Sequence, residues 1–155
     1  MKFFKSKKIL ITGHTGFKGS WLSVWLKKLG GKLYGVSLNI PSKPSMYEHI
    51  NSSTFEEEFV INIEDQNRIT KVIKSIKPDI IFHLAAQPLV SISFEDPIKT
   101  FQTNAFGTIN ILEAIKKLNS NLIVIFITSD KVYYNEEWPW GYKETDKLGG
   151  KDPYS

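Results

Sequence analysis

The chain has no cysteine among its 155 residues. That excludes disulfide staples, a thiolate nucleophile and any cysteine-based zinc site. Histidine is also scarce: His14, His49 and His83 are dispersed, without the close spacing of a zinc motif, so no metal is expected. Apolar runs are short. The run Ile9–Ile11 follows a basic start but breaks at Gly13, too soon for the core of a signal peptide. No stretch approaches the ~20 apolar residues that cross a bilayer. The expectation is a cytoplasmic protein with no membrane partner. Acid is missing from one stretch in particular, Lys32 to Met46, which contains neither Asp nor Glu.

What remains is ordinary for a globular chain. A hydrophobic share of 41% beside 23% charge argues against wholesale disorder, and the length suits one domain with its own core. The net charge of +4 draws on Lys2, Lys5, Lys7 and Lys8. A basic start can mark a nucleic-acid partner. Here no aromatic interleaving or nucleic-acid motif follows, so a solvated N-terminus ahead of a buried strand is expected, and no nucleic acid.

Strand and helix signals alternate. Lys8–Thr12 is a short apolar run ending in a glycine turn, as in a buried parallel strand. Leu22, Trp25, Leu26 and Leu29 fall at i, i+3, i+4 and i+7, predicting one buried helix face closed by Gly30-Gly31. Lys32–Leu38 reads as a second strand, with a Pro- and Ser-rich loop at Pro41–Ser45. Phe59–Ile61 reads as a third. Ile69, Val72, Ile73 and Ile76 form a second helical stripe, stopped by Pro78. Asp79–His83 is the fourth strand. One long helix is expected from Ile98 to Lys117, with Phe101, Ala105, Ile109 and Leu112 on its buried face, and Leu122–Thr128 as the fifth strand. Alternation at this spacing implies right-handed crossovers and an α/β fold: a Rossmann-type, doubly wound parallel sheet with helices on both faces. In such sheets ligands lie beyond the carboxyl ends of the strands. After Lys131 the chain turns aromatic, polar and glycine-rich, with Trp138, Trp140, Tyr142 and Tyr154, and reads as a loop.

The segment Gly13-His14-Thr15-Gly16-Phe17-Lys18-Gly19 joins the first strand to the first helix. Gly13 permits the tight turn, Gly16 lets backbone approach a phosphate, and Gly19 lets the helix pack on the strand. The helix N-terminus adds free N–H groups and partial positive charge. A nicotinamide dinucleotide held by its pyrophosphate is the implied ligand. His14 is expected to hydrogen-bond locally. An acid ending strand two would bind the ribose 2′-hydroxyl of NAD. Its place falls near Ser37, inside the acid-free stretch, and Lys18 and Lys43 could tolerate a 2′-phosphate. The residues alone therefore leave NAD and NADP both open.

The GxxGxxG spacing resembles the extended short-chain dehydrogenase/reductase family, in its NAD-dependent epimerase/dehydratase group, and the likeness runs along essentially the whole chain. His83-Leu84-Ala85-Ala86-Gln87 resembles that family's HxAA segment. Thr103-Asn104-Ala105-Phe106-Gly107-Thr108 resembles its TNxxGT segment, where Asn104 is a structural bridge. Thr128–Tyr133 resembles the polar end of strand five, and Asp152-Pro153-Tyr154-Ser155 the start of the YxxxK motif. Five stretches together, GHTGFKGSWL, AAQPLV, TSDKVY, the Trp138–Glu144 segment and LGGKDPYS, resemble the family's branch that dehydrates CDP-glucose.

The resemblance implies NAD as cofactor. Its contacts would come from Gly13, Thr15, Gly16, Phe17, Lys18, Gly19, Ser37, Asn62, Ile63, Leu84, Ala85, Ala86, Gln87 and Thr103. It implies a nucleotide-sugar substrate, CDP-glucose, converted to the 4-keto-6-deoxy sugar within deoxysugar and lipopolysaccharide O-antigen synthesis, and a homo-oligomer when full length. Tyr154 would be the base at the sugar 4-hydroxyl, and Ser129 would bind the same oxygen. Asp130 would protonate the departing 6-hydroxyl, and Lys131 would either assist at C5 or orient the substrate. Ser129 and Asp130 could instead be an ordinary turn cap. Trp138 and Trp140 could pack on a partner domain or on a nucleotide base. The family's lysine four residues after the tyrosine would lie beyond Ser155. Residues 1–155 are therefore expected to be the dinucleotide-binding domain, inactive alone, with a sugar-nucleotide-binding part to follow. A non-catalytic dinucleotide-binding module and a sugar-nucleotide epimerase are the alternatives.

Overall fold

The computed structural model describes residues 3–116, 118 and 121–155. Five strands, β1 (Lys8–Thr12), β2 (Lys32–Ser37), β3 (Phe55–Val60), β4 (Ile80–His83) and β5 (Ile123–Phe126), form one parallel sheet in the order β3-β2-β1-β4-β5. The order reverses between β1 and β4, so a crevice opens at their carboxyl ends, where Thr12 and His83 stand opposite one another. The Rossmann-type sheet expected from the alternation is the one observed.

Helices α1 (Phe17–Lys28) and α2 (Gln66–Ile76) connect the first strands. Between β4 and β5 lie α3 (Val90–Glu95), α4 (Pro97–Phe101), a widened π turn at Gln102–Phe106, and α5 (Gly107–Ile115). One core gathers Leu10, Val36 and Ile81 of the sheet with Ile69, Val72, Ile73 and Ile76 of α2 and Ile111 and Ala114 of α5. The opposite face packs Ile9, Ile11, Leu33 and Ile80 on Leu26 of α1. All four residues of the α2 stripe are buried. Asp65 caps that helix by accepting the Arg68 N–H, and Lys77 ends it in the left-handed conformation just before Pro78.

Five expectations are corrected. In α1 the inward residues are Gly19, Ser20, Ser23 and Leu26, while Trp25 is 60% exposed and Leu22 and Leu29 are only half-buried. Loop geometry sets this rotation. Gly19 lies on the Gly13 carbonyl, and the Ser20 hydroxyl donates to the His14 carbonyl at 3.0 Å, so small residues face the strand. The single helix expected over Ile98–Lys117 is instead α4, the π turn and α5, and its Lys117 end lies outside the described residues, as does Lys2 of the basic start. Its expected buried face points outward: Phe101, Ala105, Ile109 and Leu112 are exposed, and Thr100, Gly107, Ile111 and Ala114 are buried. Gly107 decides this face. A Cβ there would come within 2.5 Å of the Ile63 side chain, so the helix rests directly on Ile63 and a larger residue would have to displace it. The third strand begins at Phe55, not Phe59, because Glu56, Glu57 and Glu58 lie on the solvent-facing outer strand of the sheet. The fifth is shorter than expected, at Ile123–Phe126.

The basic start is only partly solvated. Lys7 pairs with Asp79 at 3.2 Å, and Lys8 donates to the Ile76 carbonyl at the C-terminus of α2, where cations are favoured. Among the described residues no helix is long and apolar enough to cross a membrane.

The rotation of α1 gives a direct prediction. Leu26→Ala should cost about 2–5 kcal/mol of stability by urea unfolding, as buried leucines do, whereas Trp25→Ala should shift the midpoint only slightly. Equal losses would contradict the observed rotation.

Candidate functional site

The site is built around the turn after β1. Gly13 has φ +74°, and a Cβ on it would meet Ala85 N at 2.8 Å and the Leu84 carbonyl carbon at 2.9 Å. A Cβ on Gly19 would collide with the Gly13 carbonyl oxygen and lie 2.8 Å from the His14 Cα. A Cβ on Gly16 would come within 3.3 Å of Gly13 O. Backbone therefore touches backbone at Gly13 and Gly19, where a Cβ could enter only if backbone moved, and Gly16 is a tight fit beside them. Gly16 precedes α1 with no side-chain cap, and no acid lies in the first turn. The helix presents its first N–H groups to an outside acceptor, the arrangement that suits a pyrophosphate. Phe17 and Lys18 are exposed at the mouth, and Thr15 is buried.

Two side chains hold the outer wall of this turn. Ser37 ends β2, where an acid was sought. Its hydroxyl accepts the Thr15 N–H at 3.3 Å and lies 2.9 Å from His14 Nδ1. His14 Nε2 meets Glu58 at 2.8 Å, and the Tyr47 hydroxyl donates to the same carboxylate at 2.6 Å. Burial lowers the His14 pKa, opposed but not cancelled by contact with the Val36 carbonyl and by Glu58. Burial, and then Glu58, raise Tyr47 to about 12. His14 is thus the local hydrogen-bonder expected of it. The Thr15 hydroxyl donates to the Asn39 carbonyl at 2.6 Å.

The inner wall is the segment after β4. Leu84 and Ala85 donate their N–H groups to the Thr12 hydroxyl at 3.2 and 3.1 Å, and that hydroxyl lies 2.7 Å from His83 Nδ1. Asn104, in the π turn, grips Gln87 twice: its Oδ1 accepts the Gln87 N–H at 2.8 Å, and its Nδ2 donates to the Gln87 carbonyl at 3.0 Å. This is the bridging position that the sequence pattern assigned to Asn104. π turns are frequent at functional sites. Ala86 is exposed beside them.

Asn62 and Ile63 follow β3. Ile63 is buried against Gly107, and Asn62 Oδ1 accepts the Glu64 N–H at 3.0 Å. The Thr103 hydroxyl donates to Glu64 at 2.6 Å, and Lys99 pairs with that carboxylate at 2.7 Å. Burial pushes the Glu64 carboxyl up, but its bonds to Lys99 and Thr103 outweigh that and leave it below its usual value.

The four residues expected to do chemistry lie beyond β5. Ser129 caps a short turn at Asp130–Val132, accepting the Lys131 N–H at 3.2 Å, and its hydroxyl is 3.4 Å from Asp130 Oδ1. Asp130 and Lys131 are exposed and line a cleft of about 340 Å³ together with Asp152 and Ser155. Ser129 and Tyr154 are half-buried and stand outside that lining. The structure thus brings Asp130 and Lys131 together and keeps Ser129 beside them in the turn.

Residues 133–155 form an irregular loop, as expected, tied back by a single bridge from Tyr133 to Leu148. Tyr133 stacks on Tyr142 at 5.1 Å, Tyr142 lies against Trp138 at 5.7 Å, and Trp138 stacks on Trp140 at 5.4 Å. The Trp138 Nε1 is buried without a partner. Among the described residues no group of three or more His, Asp or Glu could hold a metal. Sequence reasoning missed Thr12, Tyr47, Glu58, Glu64 and Thr108. Thr108 stands in the TNxxGT segment, but its contact with His83 runs 25 positions. The other four belong to no local pattern, since their side chains bond to groups 71 to 73 positions away for Thr12 and 11 to 44 for Tyr47, Glu58 and Glu64.

The family model described as GDP-mannose 4,6 dehydratase matches residues 10–155. CDP-glucose 4,6-dehydratase of Salmonella typhimurium is 46% identical over 153 residues, covering 99% of this chain and 43% of that protein. GDP-mannose 4,6-dehydratase of Vibrio cholerae is 32% identical, covering 96% of this chain and 42% of that protein. A crystal structure of UDP-glucose 4-epimerase from Stenotrophomonas maltophila, with bound NAD and formylated UDP-arabinopyranose, matches with a TM-score of 0.82 at 26% identity. It covers 96% of this chain and 44% of that one. The chain spans less than half the length of each of these relatives.

The buried histidines make stability depend on pH. Burial lowers His83 from 6.5 to about 4 in the folded chain. Between those values the unfolded state carries the proton and the folded state does not, so stability falls as pH falls. Urea unfolding should lose about 1.4 kcal/mol per pH unit from His83 over that window, with His14 adding in the same direction. A flat profile from pH 6.5 to 4.5 would contradict the neutral, buried rings.

Proposed function

The chain belongs to the GDP-mannose 4,6-dehydratase family, and on that premise we propose that it is the dinucleotide-binding part of a sugar-nucleotide 4,6-dehydratase that converts CDP-glucose to CDP-4-keto-6-deoxyglucose. Two features at the carboxyl edge of the sheet carry the reading together. One is a glycine turn packed backbone on backbone beside an uncapped helix, and the other is the Asp130–Lys131 pair on the wall of a cleft.

The turn fits a nicotinamide dinucleotide. Gly13, Gly16 and Gly19 would admit the pyrophosphate, and the N–H groups of Phe17 and Lys18 would hold it. Thr15, Ser37, Asn62, Ile63, Leu84, Ala85, Ala86, Gln87 and Thr103 would hold the rest. NAD is the cofactor proposed, on the strength of the family. NADP stays compatible with Ser37, whose hydroxyl is already engaged by Thr15 and His14 and carries no charge to repel a 2′-phosphate. Bound there, the dinucleotide would supply a reversible two-electron oxidant, storing the hydride that leaves sugar C4 and returning it at C6 after water is lost.

The residues then divide the proton work. Tyr154 takes the proton of the sugar 4-hydroxyl while Ser129 hydrogen-bonds the same oxygen. A free tyrosine titrates near ~10, so this step needs a cation beside the phenol. In the family that cation is a lysine four residues on, beyond Ser155. The 4-ketone acidifies the C5 proton, which Lys131 helps remove or whose carbon it orients. Asp130 gives its proton to the 6-hydroxyl, which leaves as water. The sugar loses one water overall and undergoes no net redox change. Deoxysugar and O-antigen synthesis in the cytoplasm is the setting proposed. Ile98, Phe101, Ile109 and Leu112, exposed along α4 and α5, are the surface proposed for a homo-oligomer.

The test is the full-length protein with CDP-glucose and NAD, followed by mass spectrometry of the sugar nucleotide. The expected product has lost one water, and Asp130→Asn should lower kcat by about 10²–10⁴ with little change in KM. A product of unchanged mass with inverted C4 would make the protein an epimerase. Dinucleotide binding without turnover of any sugar nucleotide would make it a binding module.

A further inference from the structure

His83 stands at the carboxyl end of β4, opposite Thr12 on β1, and is 4% exposed. Both of its ring nitrogens are engaged, and counting protons around them leaves one arrangement. The Thr12 hydroxyl already accepts two N–H bonds, from Leu84 and Ala85. Its own proton goes to the acceptor within reach, His83 Nδ1 at 2.7 Å, so Nδ1 is bare. On the other side His83 Nε2 lies 3.1 Å from the Thr108 hydroxyl oxygen. That hydroxyl donates to the Asn104 carbonyl at 2.7 Å, so toward His83 it accepts, and Nε2 carries the proton.

The chain of bonds ends on the nucleotide site at both sides. Through Thr12 it holds the Leu84 and Ala85 N–H groups, and a side chain on Gly13 would strike the peptide between them, at the Leu84 carbonyl carbon and the Ala85 nitrogen. Through Thr108 it reaches Asn104, whose side chain grips Gln87 by N–H and carbonyl. The ring therefore braces both ends of the 84–87 segment, although it contacts no outer surface of the site itself.

We propose that His83, fixed as the Nε2–H tautomer by Thr12 and Thr108, is a positioning residue that sets the 84–87 segment against the Gly13 turn and so tunes dinucleotide affinity. This rests on the reading of the Gly13–Gly19 turn as a dinucleotide site. Moving the ring proton to Nδ1 would turn two donors toward each other at Thr12 and leave Nε2 facing a hydroxyl whose proton is already given. The hydroxyl could recover only by giving up an N–H bond from Leu84 or Ala85, and the floor of the turn would loosen.

Two substitutions at Thr108, which lies outside the proposed cofactor contacts, separate this role from bulk stability in the full-length protein. Thr108→Val keeps the shape and removes the acceptor, and Thr108→Ser keeps the hydroxyl. NAD titration should show Thr108→Ser binding like the unaltered protein and Thr108→Val binding at least fivefold more weakly, at a temperature where circular dichroism shows all three proteins fully folded. Nitrogen NMR of histidine-labelled protein should show the His83 proton on Nε2 in the unaltered protein and a mixture of the Nε2–H and Nδ1–H tautomers in Thr108→Val. Unchanged affinity in Thr108→Val, or a proton found on Nδ1 in the unaltered protein, overturns the positioning role alone. Unaltered protein that binds neither NAD nor NADP overturns the reading of the site, and the positioning role with it.

Discussion

Backbone meeting backbone at Gly13 is the contact on which the rest of the site depends. The β1 turn, the start of α1 and the segment after β4 converge there at separations that no Cβ could share. In a close-packed interior such a contact cannot be relieved by a small adjustment nearby. Everything around it is arranged to keep it. Ser20 ties α1 back to the loop, Ser37 and His14 hold the outer side, and Thr12 and His83 hold the inner side. The result is a helix N-terminus aimed into the crevice at the switch in strand order, with its N–H groups uncapped.

The same constraint explains features that look unfavourable by themselves. Turning Gly19, Ser20 and Ser23 toward the strand leaves Trp21 and Trp25 exposed on α1. A helix positioned by hydrophobic burial alone would choose the opposite rotation. The π turn at Gln102–Phe106 widens the backbone where Asn104 reaches Gln87, and Gly107 then lets α5 sit directly on Ile63. Both helices give up apolar burial to place a backbone segment beside the crevice at the switch in strand order.

Much of this could be read along the chain. The spacing of Gly13, Gly16 and Gly19 between an apolar run and a helix located the turn, because Gly16 and Gly19 answer steric needs within it and Gly13 turns the chain at a positive φ, although the contact of Gly13 with Leu84 and Ala85 could not be read from the spacing. The Ile69–Ile76 stripe located α2, whose caps and periodicity agree. The resemblance of short motifs then gave the family and the bridging part played by Asn104. What could not be read depends on distance. Periodicity put the wrong faces of α1 and α5 inward, since the deciding contacts run to Gly13 and Ile63. Three glutamates hid the start of β3, because an outer strand carries charge where an inner one cannot. Neither His14, inside the glycine turn, nor His83, ending the fourth strand, shows its partners in the sequence. Only the fold shows that Glu58 and Ser37 flank one, and Thr12 and Thr108 the other.

The central claim is that the turn holds a dinucleotide by its pyrophosphate, with the Gly13 contact as the floor. A crystal structure of the full-length protein with NAD tests it most directly. The account places pyrophosphate oxygens within hydrogen-bonding distance of the N–H groups at the start of α1, ~2.7–3.2 Å, with Leu84 and Ala85 still bonded to Thr12. A dinucleotide bound elsewhere, or one that lifts the 84–87 segment off Gly13, would contradict it.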